Sequence, residues 1–77
     1  MDRTEFLNLC KKVSILLPNI PEDCIVEYDG VNYYPQAYEL WFSKGETRHT
    51  AVLHDLKANS VMRCPLDVVN LKNNGKG

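Results

Sequence analysis

The amino-acid sequence predicts one α+β domain, in which an N-terminal amphipathic helix packs on a curled antiparallel β-meander of about five short strands. Three observations support this fold. Apolar residues recur at steps of three and four as far as Pro18, which is the helical pattern. Beyond Ile20, apolar and polar side chains alternate in short runs, and glycine-containing turns separate several of these runs. A sheet closed into a small SH3-like barrel is the alternative arrangement.

The predicted helix covers residues 3–17. Asp2 is the expected N-cap, with Glu5 three residues later to reach back to its amide. Pro18 disfavours helical geometry at the residue before it and therefore ends the helix. A helix of this length is marginal alone, so we expect its apolar side to cover the sheet. The apolar side consists of Phe6, Leu9, Cys10, Val13, Leu16 and Leu17.

The strands follow the helix, at residues 24–28, 31–34, 37–42, 47–54 and 60–64. Asp29-Gly30 lies between the first two runs and predicts a tight hairpin, because both loop positions need a positive φ. Pro35 cannot donate to a ladder, so it marks a strand end or a sheet edge. Residues 66–69 are expected to form a helical turn or a final short strand.

Size and composition limit the range of functions. The chain has 77 residues, a net charge of -1 and 44% hydrophobic residues, which is typical of an ordinary globular domain. A domain this small has a small core and little room for an enzyme cleft, whereas a binding surface fits easily. We assign residues 1–71 to the domain and residues 72–77 to a mobile C-terminal tail, because the tail has almost nothing to bury.

The expected compartment is the cytoplasm. The longest mainly apolar stretch runs from Val13 to Leu17, far short of the roughly 20 residues that cross a bilayer. The first five residues mix acidic and basic side chains, unlike a secretory signal. In a reducing compartment the three cysteines should be free, buried thiols. They are Cys10, Cys24 and Cys64.

No residue pattern specifies a catalytic site. His49 and His54 are five residues apart on one predicted strand, so they point to opposite faces and are poor joint metal ligands. Cys64, His54 and Asp55 are the parts of a thiol nucleophile, but nothing in the sequence places them together. The glycines form no phosphate-binding loop. We therefore predict a protein without catalytic activity, bound metal or cofactor.

Aromatic residues between Tyr28 and Phe42 suggest a binding surface, because tyrosine and tryptophan are enriched at interaction hot spots. Trp41 is opposite in phase to its two neighbours. It therefore either packs under the connector at residues 18–23 or faces outward. We predict that the protein binds a protein partner or a second copy of itself. The predicted contacts are Trp41, Tyr34 and Tyr38.

A nucleic-acid-binding barrel is the alternative function. It would use an exposed tyrosine for base stacking together with Arg48, Lys57 and Arg63 as phosphate contacts. The aromatic segment belongs to the acidic half of the chain, which counts against this alternative.

Two parts of the sequence resemble a known group of proteins. One is the run from His49 to Val61 followed by Cys64-Pro65-Leu66, and the other is Tyr28-Asp29-Gly30 leading to Tyr34-Pro35 and Tyr38. Together they resemble small uncharacterised proteins carried by bacteriophages and prophages of Gram-positive bacteria. The resemblance implies an accessory or early phage gene product that acts inside the host cell. It implies no activity and no functional residues.

Overall fold

A computed structural model describes residues 1–72, and residues 73–77 of the predicted tail lie outside the described part. One helix is followed by five strands: α1 (Arg3–Leu16), β1 (Val26–Tyr28), β2 (Val31–Ser43), β3 (Glu46–Asp55), β4 (Ser60–Pro65) and β5 (Asn70–Leu71). Short 3-10 turns lie at Glu22–Cys24 and Leu66–Val68. The α+β fold class predicted from the sequence is confirmed.

The strands form one antiparallel sheet in the order β4-β3-β2-β1-β5. β2 connects the part of the sheet formed by β1 and β5 to the part formed by β3 and β4. It pairs with β1 over Val31–Tyr33 and with β3 from Tyr34 to Ser43. Across residues 1–72 the edge strands β4 and β5 do not pair with each other, so the sheet is open and the SH3-like closure is not found.

Helix α1 covers the sheet with its apolar side, as predicted. Phe6, Leu9 and Val13 are buried, and Asp2 occupies the N-cap position, although its side chain makes no capping hydrogen bond. The predicted apolar stripe is wrong at its end, because Leu16 is 40% exposed and Leu17 is 53% exposed. Leu17 has already left helical geometry, with ψ of 140°, so it turns away from the core before Pro18.

The strand boundaries differ from the sequence prediction around Pro35. The predicted strands at 31–34 and 37–42 are one strand, β2, and Pro35 is a buried residue within it. The register between β2 and β3 shifts between Pro35 and Ala37. A β-bulge of this kind accommodates a residue without an N–H in the interior of a strand. Cys24, expected at the start of a strand, lies in a 3-10 turn instead.

The hydrophobic core lies between α1 and one face of the sheet. It is completed by the 3-10 turn after β4 and the residue that follows this turn. Its buried members are Phe6, Leu9, Val13, Cys24, Val26, Ala51, Leu53, Cys64, Leu66 and Val69. The core therefore takes residues from both ends of the chain, which makes α1 and the C-terminal segment depend on each other.

Both ends of the described chain are attached to the domain. The amino group of Met1 donates to the carbonyl of Leu66 at 3.1 Å. The backbone N–H of Lys72 donates to the carbonyl of Ile25 at 2.9 Å, and its ammonium group contacts Glu22 at 2.5 Å. Over the described residues, the helices are too short and too polar to span a bilayer.

Candidate interaction surface

Beyond the core, β2 and β3 continue as a two-stranded extension. β4 pairs with β3 only between Thr50 and Asp55, and β1 pairs with β2 only up to Tyr33. Every residue from Leu40 to His49 is exposed. We call residues 40–49 the β2–β3 arm. Two strands alone are marginally stable in water, so the arm depends on the sheet below it for its shape.

A tight turn closes the arm at Ser43-Lys44-Gly45-Glu46, where the sequence predicts a glycine-containing turn between the strands at 37–42 and 47–54. Ser43 lies opposite Glu46 in the ladder, and the two turn residues have positive φ values, 50° at Lys44 and 80° at Gly45. Positive φ at both loop positions is the type I′ geometry, whose twist matches that of the flanking strands. Glycine takes this conformation without a steric cost, which explains why the chain reverses at Gly45.

Large apolar side chains lie on both faces of the arm. Leu40 and Phe42 follow Tyr38 on the face that carries α1, and they are 42% and 74% exposed. Trp41 points to the opposite face and is 52% exposed. The alternative that Trp41 packs under the connector at residues 18–23 is therefore wrong. The arm continues past the core, and within residues 1–72 no other element covers its apolar side chains.

A polar network holds Trp41 on the outer face of the sheet. The indole Nε1 of Trp41 donates to Oε1 of Glu39 at 2.9 Å. Arg63 of β4 donates to both oxygens of Glu39, from Nε at 2.8 Å and from Nη2 at 3.2 Å. This pair crosses β3 on the face that contains Val52, which is buried although it lies outside the main core. The network therefore covers Val52 and fixes the orientation of the indole.

Glu39 is expected to titrate at lower pH than an ordinary glutamate. Hydrogen bonds from Arg63 and then from Trp41 hold its pKa below the usual value, because they stabilise the carboxylate. A lowered pKa in the folded state adds stability above the unfolded-state pKa, and this stability is lost as the pH falls through the folded-state pKa. We expect Arg63→Gln to raise the Glu39 midpoint measured by NMR titration. The control Lys57→Gln should leave it in place, and an unchanged midpoint in Arg63→Gln would contradict the network.

Tyr38 lies at the base of the arm and joins it to the helix. Its hydroxyl forms a hydrogen bond with Nδ1 of His49, and the two rings stack with centroids 5.9 Å apart. The guanidinium of Arg3 lies 6.0 Å from the centre of the Tyr38 ring. Tyr38 is half-buried against the core. Tyr38 therefore contacts both β3, through His49, and α1, through Arg3.

The three predicted contact residues do not form one continuous surface. Tyr34 is half-buried against the core near the other end of the sheet, where it lines two depressions together with His54. Tyr38 faces the helix side and Trp41 the outer side. Of the three, Trp41 alone is more than half exposed. Sequence reasoning gave no role to Leu40 and Phe42 as contacts, although their alternation with Trp41 was visible.

The structure does not bring the predicted basic residues together. Arg48 lies opposite Trp41 in the arm, while Lys57 lies in the turn after β3. At about 3.3 Å per residue, β3 spans more than roughly 20 Å between Arg48 and Asp55. Arg63 is paired with Glu39. These three cations therefore do not line one groove.

The thiols are poor nucleophiles in this fold. Burial raises the pKa of Cys10 to about 11, and it also raises the pKa of Cys24 and of Cys64. Cys64 lies opposite Ala51 on the core face, whereas His54 points to the other face of β3. Residues 1–72 contain no group of three His, Cys, Asp or Glu side chains placed to hold a metal ion.

A depression of about 390 Å³ lies between the β1–β2 turn and the β3–β4 turn. Tyr33, Tyr34, His54 and Lys57 are among its lining residues. Sequence reasoning missed it, because its two halves are far apart in the chain and meet only when the sheet forms.

Comparison with protein-family models, with curated proteins and with solved structures gave no match. The resemblance to phage and prophage proteins therefore stays a prediction from the sequence.

Proposed function

We propose that the protein is a small non-catalytic interaction domain that binds protein through the β2–β3 arm. The exposure of three consecutive large apolar side chains, Leu40, Trp41 and Phe42, carries this proposal. Single exposed apolar residues are common, but three at successive positions of one hairpin, with tryptophan on one face and leucine and phenylalanine on the other, are typical of a segment that a partner covers. Their position on a projecting hairpin also lets a partner approach from either face.

Trp41 is the expected anchor of the interaction. Its indole already donates to Glu39, which Arg63 holds in turn. A side chain ordered before binding loses little conformational freedom when the partner arrives, so more of its contact energy appears as affinity. In this proposal Tyr38 joins the arm to the helix rather than contacting the partner. Tyr34 supports the body of the domain.

The partner is a host protein or a second copy of the chain. The resemblance to phage and prophage proteins supports an accessory gene product that acts in the cytoplasm of a bacterial host. No catalytic step, metal or cofactor enters the proposal. Nucleic-acid binding through Arg48, Lys57 and Arg63 is the competing function, and the pairing of Arg63 with Glu39 counts against it.

The test is a pull-down with the tagged full chain from lysate of the native host, divided into nuclease-treated and untreated halves. We expect a discrete protein that is retained after nuclease treatment and reduced at least tenfold by Trp41→Ala. The matched control is Val61→Ala, because Val61 is also exposed, at 45%, but lies on β4 away from the arm. Equal retention by both variants would contradict the arm as the contact surface. Recovery in the untreated half alone, with a steep dependence on salt, would favour nucleic acid instead.

A further inference from the structure

The arm has an open backbone edge in addition to its exposed side chains. β2 pairs with β1 over Val31–Tyr33, and from Tyr34 onward its one strand partner within residues 1–72 is β3. Among the described residues, the edge of β2 that faces away from β3 therefore has no strand partner along the arm. Open strand edges present N–H and C=O groups that can pair with another strand.

The register of the turn shows which residues point to this edge. In a two-residue hairpin the closing pair, here Ser43 and Glu46, shares both hydrogen bonds across the ladder. Hydrogen-bonded and non-hydrogen-bonded pairs then alternate. Trp41 and Glu39 therefore direct their backbone groups toward β3. The backbone groups that point to the open edge belong to Tyr38, Leu40 and Phe42.

The usual protections of a strand edge lie elsewhere in β2. Proline and bulges discourage edge pairing, and both occur between Pro35 and Ala37, at the body end of the strand. The carboxylate of Glu39 is held on the outer face by Arg63. The segment from Tyr38 to Phe42 therefore offers an accessible edge flanked by large apolar side chains.

We propose that two copies of this chain associate by antiparallel pairing of their β2 arm edges, with Trp41 of one copy opposite Trp41 of the other. The inference rests on the proposed function and names a second copy as the partner. In this register Leu40 of each copy pairs with Phe42 of the other through hydrogen bonds. The two indoles meet at a non-hydrogen-bonded pair, where cross-strand side chains are closest.

Neighbouring registers are less favourable. Centring the pair on Glu39 would place two carboxylates directly opposite each other, which is destabilising. Centring the pair on Leu40 would shift the second copy by two residues toward the helix of the first. It would then lie closer to Arg3, which lies over the Tyr38 ring. In the Trp41-centred register the two strands pair from Glu39 to Ser43. The packed part of each copy then lies next to the turn of the other copy's arm. The net charge of -1 per chain adds little repulsion.

The association should be weak, because one short pair of strands buries less than the roughly 800 Å² per partner of a standard interface. The experiment is sedimentation velocity on the purified full chain, from micromolar concentrations up to about 1 mM. We expect a reversible monomer–dimer equilibrium within this range. A chain that stays monomeric throughout would overturn the inference.

Two substitutions at one position isolate the edge. The N–H of Leu40 points away from β3, so Leu40→Pro blocks edge pairing while the β2–β3 hydrogen bonds remain. Leu40→Thr shortens the side chain but keeps the N–H. We expect Leu40→Pro to weaken dimerisation at least tenfold more than Leu40→Thr does. Leu40→Lys, which places a charge at the edge, is the second blocking variant if Leu40→Pro does not fold. A dimer that survives both blocking variants would overturn the proposed edge.

The register has its own measurement. The chain contains one tryptophan, so exciton coupling between indoles in circular dichroism requires two copies. We expect the coupling to appear with the dimer and to disappear on dilution and in Trp41→Phe. A dimer without this coupling would overturn the Trp41-centred register. If the chain is monomeric and the pull-down still captures a Trp41-dependent partner, self-association fails and the proposed function stands. Failure in both experiments would reject both.

Discussion

Replacing Phe6 with alanine is expected to lower the free energy of unfolding by about 3–5 kcal/mol. Phe6 is fully buried, and its side chain has the largest volume among the fully buried residues of the described chain. It lies in α1 and belongs to the buried cluster that also contains residues of β1, β3, β4 and the C-terminal segment, so its loss leaves a cavity in the core. A chain of this size is expected to have a total stability of only about 4–12 kcal/mol, so the variant should be partly unfolded under mild conditions.

Thermal and urea denaturation followed by circular dichroism measure this effect. Each kcal/mol corresponds to about 4–8 °C of melting temperature in a domain of this size, so we expect a decrease of at least about 12 °C. The matched control is Ile15→Ala in the same helix, where Ile15 is 78% exposed. It should change stability by less than about 0.5 kcal/mol. Similar losses in the two variants would show that α1 does not pack through the face containing Phe6.

Leu53→Ala is expected to cost about 2–5 kcal/mol, and Leu40→Ala is its control. The two leucines project from the same face of the β2–β3 ladder. They differ in their position along the ladder, because Leu53 lies opposite Pro35 and Leu40 lies opposite His49. Leu53 is 0% exposed in the core, whereas Leu40 is 42% exposed in the arm. Because the Leu40 side chain buries little apolar surface, Leu40→Ala should lower the free energy of unfolding by less than about 1 kcal/mol.

Both leucine variants are best measured at low micromolar concentration, where the chain is expected to be monomeric. Under these conditions a small loss in Leu40→Ala means that the arm contributes little to the core and is available to a partner. Equal losses would contradict the division of the sheet into a packed body and an unsupported arm. That result would also remove the structural basis of the proposed function.

The sequence predicted the local elements well where one residue type decides the conformation. The spacing of Phe6, Leu9 and Val13 predicted α1 and its buried face. Asp29-Gly30 and Lys44-Gly45 predicted the two tight turns, in which all four residues have positive φ. These features are local consequences of side-chain spacing and backbone sterics. The α+β class followed from their order along the chain.

Pro35 marks the limit of that local reasoning. Pro35 predicted a strand end or a sheet edge. β2 does not end there but continues past Pro35 through a bulge, whereas the edge alternative agrees with the structure, because within residues 1–72 β1 pairs with β2 only as far as Tyr33. The choice depended on whether β3 could pair with residues on both sides of the irregularity, which is a contact between segments far apart in sequence. The continuous β2 is also what creates the arm, so the missed strand and the missed surface have one cause.

The sequence by itself determined which side chains of β2 share a face, because alternation in a strand is fixed by backbone geometry. It placed Trp41 opposite Leu40 and Phe42, and it gave Trp41 as a contact. Only the tertiary structure decided which of these faces is covered. Helix α1 covers the sheet as far as Tyr38, where Arg3 lies over the ring, and β4 pairs with β3 only as far as Thr50. Past that limit no described element covers either face, so all three residues are exposed. Burial depends on where the neighbouring elements end, and a strand's own sequence does not contain that information.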